Sequence, residues 1–167
     1  MTTITSIRIS EYRVELREAF VTALRSVSEY PVIKVELECD GKIGVGECVA
    51  VPAISGDSHD GILNDLKSAS ESVIGAYGST RAAHQVILDS VFLPSARAAL
   101  DLALWDSYSS EEHFKIKTDV TIPICTPVAF DEILANRIAA GFDTFKVKVD
   151  RDISSDLLRR IEVITSK

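Results

Sequence analysis

From Ile33 to Cys39 every second residue is apolar: Ile33, Val35, Leu37 and Cys39 alternate with Lys34, Glu36 and Glu38. A period of two places the first set on one face of a strand and the charges on the other, so this stretch can cover a core with one face only. Asp40-Gly41 follows at once, a dipeptide suited to a two-residue hairpin turn, and leads into Ile43, Val45 and the pair Gly44 and Gly46. An antiparallel sheet is therefore expected near the start of the chain. Upstream, Ile7 and Ile9, then Tyr12, Val14 and Leu16, form a first strand whose phase slips near Glu11, which predicts a bulge. The polar stretch Arg17 to Glu29 predicts a long loop between these strands, and Pro52 to Ser58 a second one after the third strand.

Helical spacing takes over afterwards. Ile62, Leu63, Leu66, Ala69 and Val73 define a helix that starts near His59 or Asp60, with Asp57 or Ser58 as its cap. A second helix runs from about Thr80 to Leu88 with Ser79 or Thr80 as cap. A third, Ala96 to Tyr108 capped by Ser95, is apolar nearly all round and is expected to be buried. From Thr118 the pattern changes to strand, helix, strand, helix. Val120, Ile122 and Ile124 make a strand, Asp131 caps a helix that Gly141 ends, Thr144 to Val149 make the next strand, and a last helix spans about Ile153 to Val163. Alternation of this kind implies parallel strands with helices outside. Two such units do not close a barrel, which takes eight.

Composition excludes several functions. The net charge of −7 and pI near 5.0 argue against a nucleic-acid partner, since phosphates call for a basic face. No apolar run reaches membrane-spanning length, so no membrane partner is expected. Cys39, Cys48 and Cys125 are odd in number and lack metal-ligand spacing, which with the absence of a leader-like start predicts a cytoplasmic protein. Gly44 and Gly46 lack the third glycine and following helix of a dinucleotide site. His59, His84 and His113 show no ligand spacing, and Glu47 reads as a paired or solvated strand carboxylate.

Chemistry concentrates at Phe145-Lys146-Val147-Lys148-Val149. Lys146 and Lys148 share one face of the strand while the apolar residues share the other. Two neighbouring ammonium groups depress each other's proton affinity, which in a dry pocket equips one as a base. The alternative is a surface strand with solvated lysines.

Six motifs in order carry a resemblance: Thr22-Ala23-Leu24-Arg25, Gly44-Val45-Gly46-Glu47, Ile54-Ser55-Gly56-Asp57-Ser58, Ala98 to Asp106 (Ala-Ala-Leu-Asp-Leu-Ala-Leu-Trp-Asp), Thr118-Asp119-Val120-Thr121-Ile122 and Phe145 to Val149. Together they resemble the enolase superfamily, its muconate-lactonizing subgroup, and within that the N-terminal part of the dipeptide epimerases. The fold this implies is an α+β capping domain of antiparallel sheet and helices over residues 1–117, then the first βα units of an incomplete (β/α)8 barrel over 118–167. The resemblance assigns Lys148 as the base at the substrate α-carbon and Lys146 as its neighbour at the substrate carboxylate. Thr121 would line the site, Arg25 would meet an acidic substrate side chain, and Ile54 and Asp57 would belong to a specificity loop.

The family's metal-binding carboxylates and its opposing lysine stand on later barrel strands, beyond Lys167. Mg²⁺ is accordingly expected for the complete family enzyme and no metal site for this chain alone, which is expected to be inactive. The stretch Ser107 to Lys117 is also shorter than the family's, so the barrel entry is expected to be rebuilt. The partners implied are a dipeptide substrate, and either a complementing C-terminal chain or a homo-oligomer. A muconate cycloisomerase-like enzyme and a non-catalytic protein acting by association are the alternative readings.

Overall fold

A computed structural model describes residues 2–22, 25–109, 115–149, 159 and 162. The elements are β1 (Thr2–Val21), β2 (Ser26–Cys39), β3 (Lys42–Val49), α1 (Pro52–Ser55), α2 (His59–Val73), β4 (Tyr77–Gly78), α3 (Thr80–Ser90), α4 (Pro94–Tyr108), β5 (Val120–Ile122), α5 (Pro127–Ala139) and β6 (Phe145–Val147). They divide into two compact units. One holds Met1–Glu15 and Tyr30–Glu112, the other Leu16–Glu29 and His113–Lys167.

In the first unit the sheet order is β3-β2-β1-β4. β2 and β3 pair antiparallel from Cys39 opposite Lys42 to Val32 opposite Val49. The turn between them holds Asp40 at φ 51° and Gly41 at φ 77°, the two positive angles that the expected hairpin turn requires. Ile33, Val35, Leu37 and Cys39 are buried as the alternation predicts. They pack against Ile62, Leu66 and Val73 of α2, Ile87 of α3 and Ala99, Leu100, Ala103 and Leu104 of α4. Strand β3 reverses the usual order: Gly44 and Gly46 are buried while Ile43 is 60% exposed. The reason is a close approach of backbones. A Cβ on Gly44 would lie 2.0 Å from the Ala103 carbonyl oxygen, and one on Gly46 would lie 1.9 Å from that of Ala99. Moving up the strand corresponds to moving down the helix, so α4 runs antiparallel along β3.

Caps follow local chemistry in part. Ser58 Oγ accepts from Gly61 N at 3.1 Å and Ser79 Oγ from Ala82 N at 3.2 Å, so these two serines begin α2 and α3. Ser95 does not cap α4. That helix starts at Pro94 with no side-chain cap on Leu93. Its entering amides are instead met by carboxylates from distant sequence: Asp65 accepts from Phe92 N and Leu93 N at 3.0 and 2.7 Å, and Asp57 from Ser95 N at 3.1 Å. Helix α4 is also not buried all round, for Leu102 and Trp105 are about half exposed. The expected loop at Pro52 to Ser58 contains the one-turn helix α1, which Pro52 opens and Gly56, at φ 78°, closes.

The expected loop from Arg17 to Glu29 is largely strand. β1 continues to Val21, β2 starts at Ser26, and Thr22 N donates to Arg25 O at 2.9 Å between them. The described residues of this arm are exposed or half-buried with no buried row among them, so no apolar alternation announced it. From Thr3 to Thr22 the chain takes 19 steps, whereas its partner takes 15 from Arg25 to Asp40. The surplus on β1 fits bulging on that strand, as its phase slip predicts.

In the second unit β5 and β6 pair in parallel, Val120 opposite Phe145 and Ile122 opposite Val147. The parallel pairing matches the expectation. Strand β5 stops at Ile122 rather than Ile124 because Pro123 has no N–H to offer. Helix α5 begins four residues before Asp131: Pro127 sits at its first turn and Thr126 Oγ1 accepts from Ala129 N at 3.4 Å. Asp131 instead lies inside the helix and accepts from Arg159 Nη2 at 2.9 Å. Gly141, at φ 91°, ends the helix as expected. Ile122, Phe130 and Leu134 make the buried centre of this unit, flanked by Phe145 and Val147. The last expected helix lies outside the described residues, apart from Arg159 and Glu162, both helical. Of the expected rebuilt segment Ser107 to Lys117, residues 110–114 also lie outside them; residues 115–119 are irregular and exposed. Among the described residues no helix is long and apolar enough to cross a membrane.

Candidate functional site

Strand periodicity sorts the second unit's β-pair into two faces. Ile122, Phe145 and Val147 turn towards α5 and its Phe130 and Leu134. Thr121 and Lys146, directly opposite each other in the ladder, take the other face. Lys148 lies one residue past β6, yet its N–H donates to Ile122 O at 2.9 Å, so the ladder still holds it. By the same alternation its side chain shares the face of Lys146. Lys146 is exposed and Lys148 half-buried.

An aromatic ring stands beside the more buried of the two. The Lys148 ammonium stands 5.8 Å from the centroid of Phe20, within reach of a cation–π contact. Phe20 comes from the hairpin arm, and both of its sides are tied down. Glu18 receives Arg137 Nη2 of α5 on both carboxylate oxygens at 3.3 Å, and Val21 O accepts from Ile124 N at 3.4 Å. Phe20, Thr121, Arg17 and Arg137 line a cavity of about 190 Å³. Sequence reading did not single out Phe20; its one signal was an aromatic residue inside a stretch otherwise read as polar loop.

Arg25 stands at the tip of the same arm and is half-buried. Its N–H donates to Thr22 Oγ1 at 3.2 Å and its carbonyl closes the turn. Four of the candidate residues, Thr121, Lys146, Lys148 and Arg25, thus belong to one unit. Ile54 and Asp57 belong to the other. Ile54 is 85% exposed at α1, whereas Asp57 is 3% exposed with its carboxylate on the Ser95 amide. Asp57 also helps push the Cys48 thiol up to about 11, after burial as the first cause.

Other candidates resolve into pairs. Glu47 accepts from the Tyr12 hydroxyl at 2.6 Å, and this bond raises the Tyr12 pKa. His59 pairs with Glu11 at 2.6 Å and His84 with Asp101; His113 lies outside the described residues. Among the described residues no three His, Cys, Asp or Glu side chains gather as a metal would need, so the donor set here does not fit Mg²⁺.

Residues 4–115 match the family described as "Mandelate racemase / muconate lactonizing enzyme, N-terminal domain". The chain is 26% identical to the hydrophobic dipeptide epimerase of Enterococcus faecalis, across 93% of this chain and 48% of that one. It is 28% identical to the N-succinyl-L-Arg/Lys racemase of Bacillus cereus, across 98% and 48%. The substrate-liganded L-Ala-D/L-Glu epimerase of Bacillus subtilis superposes with a TM-score of 0.85 at 27% identity, covering 98% of this chain and 50% of that one. The E. faecalis dipeptide epimerase, solved with Mg and L-Leu-L-Tyr, gives 0.83 at 25%, again across 98% and 50%. The chain spans about half the length of the curated relatives it matches. Its antiparallel sheet with helices, followed by parallel strand–helix units, is the N-terminal part of this architecture. The chain belongs to the mandelate racemase and muconate lactonizing enzyme family.

Proposed function

We propose that these residues are the N-terminal part of an enzyme that moves the α-proton of a dipeptide, with 1–117 as capping domain and 118–167 as the barrel's start. The observation that carries this is the face of the β-pair turned away from α5, which Thr121, Lys146 and Lys148 share. Lys148 takes and returns the α-proton on one side of the substrate, and Lys146 holds the substrate carboxylate. Thr121 lines the pocket, while Arg25, in the same unit, meets a substrate side chain. The relatives differ among themselves in substrate, from hydrophobic dipeptides to N-succinylated amino acids, so Arg25 favours an acidic dipeptide on charge alone. A divalent cation, as the E. faecalis structure contains, supplies charge neutralisation from the portion of the enzyme that these residues do not cover. That portion stands on the same chain or on a complementing one.

The test is deuterium wash-in at the α-carbon. The complete enzyme containing these residues, with Mg²⁺ in D₂O, is offered a panel that includes L-Ala-L-Glu and L-Leu-L-Tyr. Exchange is expected, with Lys148→Ala abolishing it for one epimer at least; residues 1–167 alone are expected to give none. No exchange across the panel, or exchange unaffected by Lys148→Ala, overturns the reading. Exchange by residues 1–167 alone overturns their expected inactivity.

A further inference from the structure

We infer that Phe20 is a positioning residue for Lys148, so that the hairpin arm rather than the barrel strand sets where the proton-transferring nitrogen stands. The inference rests on the proposed role of Lys148 and extends it to a residue that touches no reacting atom. A lysine carries its nitrogen on four rotatable bonds, and strand β6 fixes only the Lys148 backbone, through its N–H to Ile122 O. Something must select among the side-chain conformers. The face of Phe20 does so: the ammonium stands 5.8 Å from the ring centroid, a distance at which the ring quadrupole attracts it. Among the described residues no aromatic ring faces Lys146, which is exposed although it sits within the strand and Lys148 does not.

A positioning group has to be held itself. Phe20 is held on both flanks within the same unit. Glu18, two residues before it, takes Arg137 on both carboxylate oxygens; Val21, the residue after it, accepts from Ile124 just past β5. The arm is therefore fastened to the helix that follows β5 and to the loop leaving β5. Thr121, the cross-strand partner of Lys146, lines one cavity with Phe20. The ring thus meets the Lys148 ammonium and also borders the cavity that Thr121 lines. It favours one nitrogen position without transferring a proton.

Only one of two faces of the α-carbon is served by Lys148, and this gives a readout that general loss of structure would not produce. In the complete enzyme, wash-in is measured separately from each epimer of L-Ala-L-Glu. Lys148→Ala identifies the epimer whose α-proton faces Lys148. For that epimer, Phe20→Leu is expected to lower the exchange kcat about tenfold with KM within about twofold, while exchange from the opposite epimer stays within about twofold. Phe20→Tyr, which keeps the ring, is expected to retain the parent rate. Glu18→Ala, which loosens the arm without touching the ring, is expected to give the same one-sided loss. Equal losses for both epimers, or no loss, overturn the role of Phe20 while leaving Lys148 as the base. Should Lys148→Ala spare both epimers, the proposed function itself fails and this inference with it.

Discussion

Replacing Gly46 by alanine tests whether the first unit is held by direct contact of backbones. The added methyl would sit 1.9 Å from Ala99 O, 2.8 Å from Ala103 N and 2.9 Å from Ala99 C. All three atoms are backbone, so no side chain can rotate away. Helix α4 would have to retreat by about 1.5 Å to regain ordinary contact, which strips the packing of Ala99, Leu100, Ala103 and Leu104 against β2 and β3 along its length. Overpacking a core costs about 1–3 kcal/mol where side chains can yield, and this site should reach about 3 kcal/mol or more. For a unit of roughly one hundred residues that is a fall in Tm of about 12–24 °C. The assay is thermal unfolding followed by circular dichroism at 222 nm, with urea titration beside it. Gly75→Ala is the control, since its φ of 89° is strained for alanine but nothing lies within 4 Å of the new methyl; about 1 kcal/mol is expected there. A Gly46→Ala protein that melts within a few degrees of the parent, or no lower than Gly75→Ala, would refute the argument.

Three further outcomes concern the same unit. Asp65→Ala removes the acceptor of Phe92 N and Leu93 N and should destabilise by about 1–2 kcal/mol, with the loss in urea midpoint showing no change in slope. Cys48 should resist iodoacetamide at pH 8 in the folded protein and react faster as pH rises towards about 11, read by peptide mass spectrometry. Because the folded thiol holds its proton above its ordinary pKa of 9.0, its contribution to stability is complete below about 9 and declines from there to about 11, so urea midpoints should fall across that interval.

Much of the first unit was legible because its chemistry is local. Ile33 to Cys39 could only be a one-faced strand, Asp40-Gly41 could only turn, and Ser58 and Ser79 mark helix starts by hydrogen bonds that reach three residues ahead. What failed depended on distant sequence. Ser95 looked like a cap, yet the amides at α4 are met by Asp57 and Asp65, some thirty to forty positions earlier. The arm from Arg17 to Glu29 looked like loop because none of its described residues is buried, and a strand with no dry side leaves no period to read. At the candidate site the lysine face was legible from alternation and the family resemblance. Phe20 was not, since its contact with Lys148 joins residues 128 positions apart through an arm that had no visible reason to be ordered.

The glycine seam between β3 and α4 works like a key with two notches. Two residues of strand advance about 6.7 Å and four residues of helix about 6.0 Å, so Gly44 and Gly46 meet successive helical turns almost in step. A helix displaced by half a turn would set larger side chains against the strand and could not seat. Seating is thus all-or-none, and it joins residues between about fifty and sixty positions apart, which requires the intervening α2 and α3 to be folded away as the loop closes. The seam should form late, and once formed it should be the part of the unit whose amides exchange last with solvent.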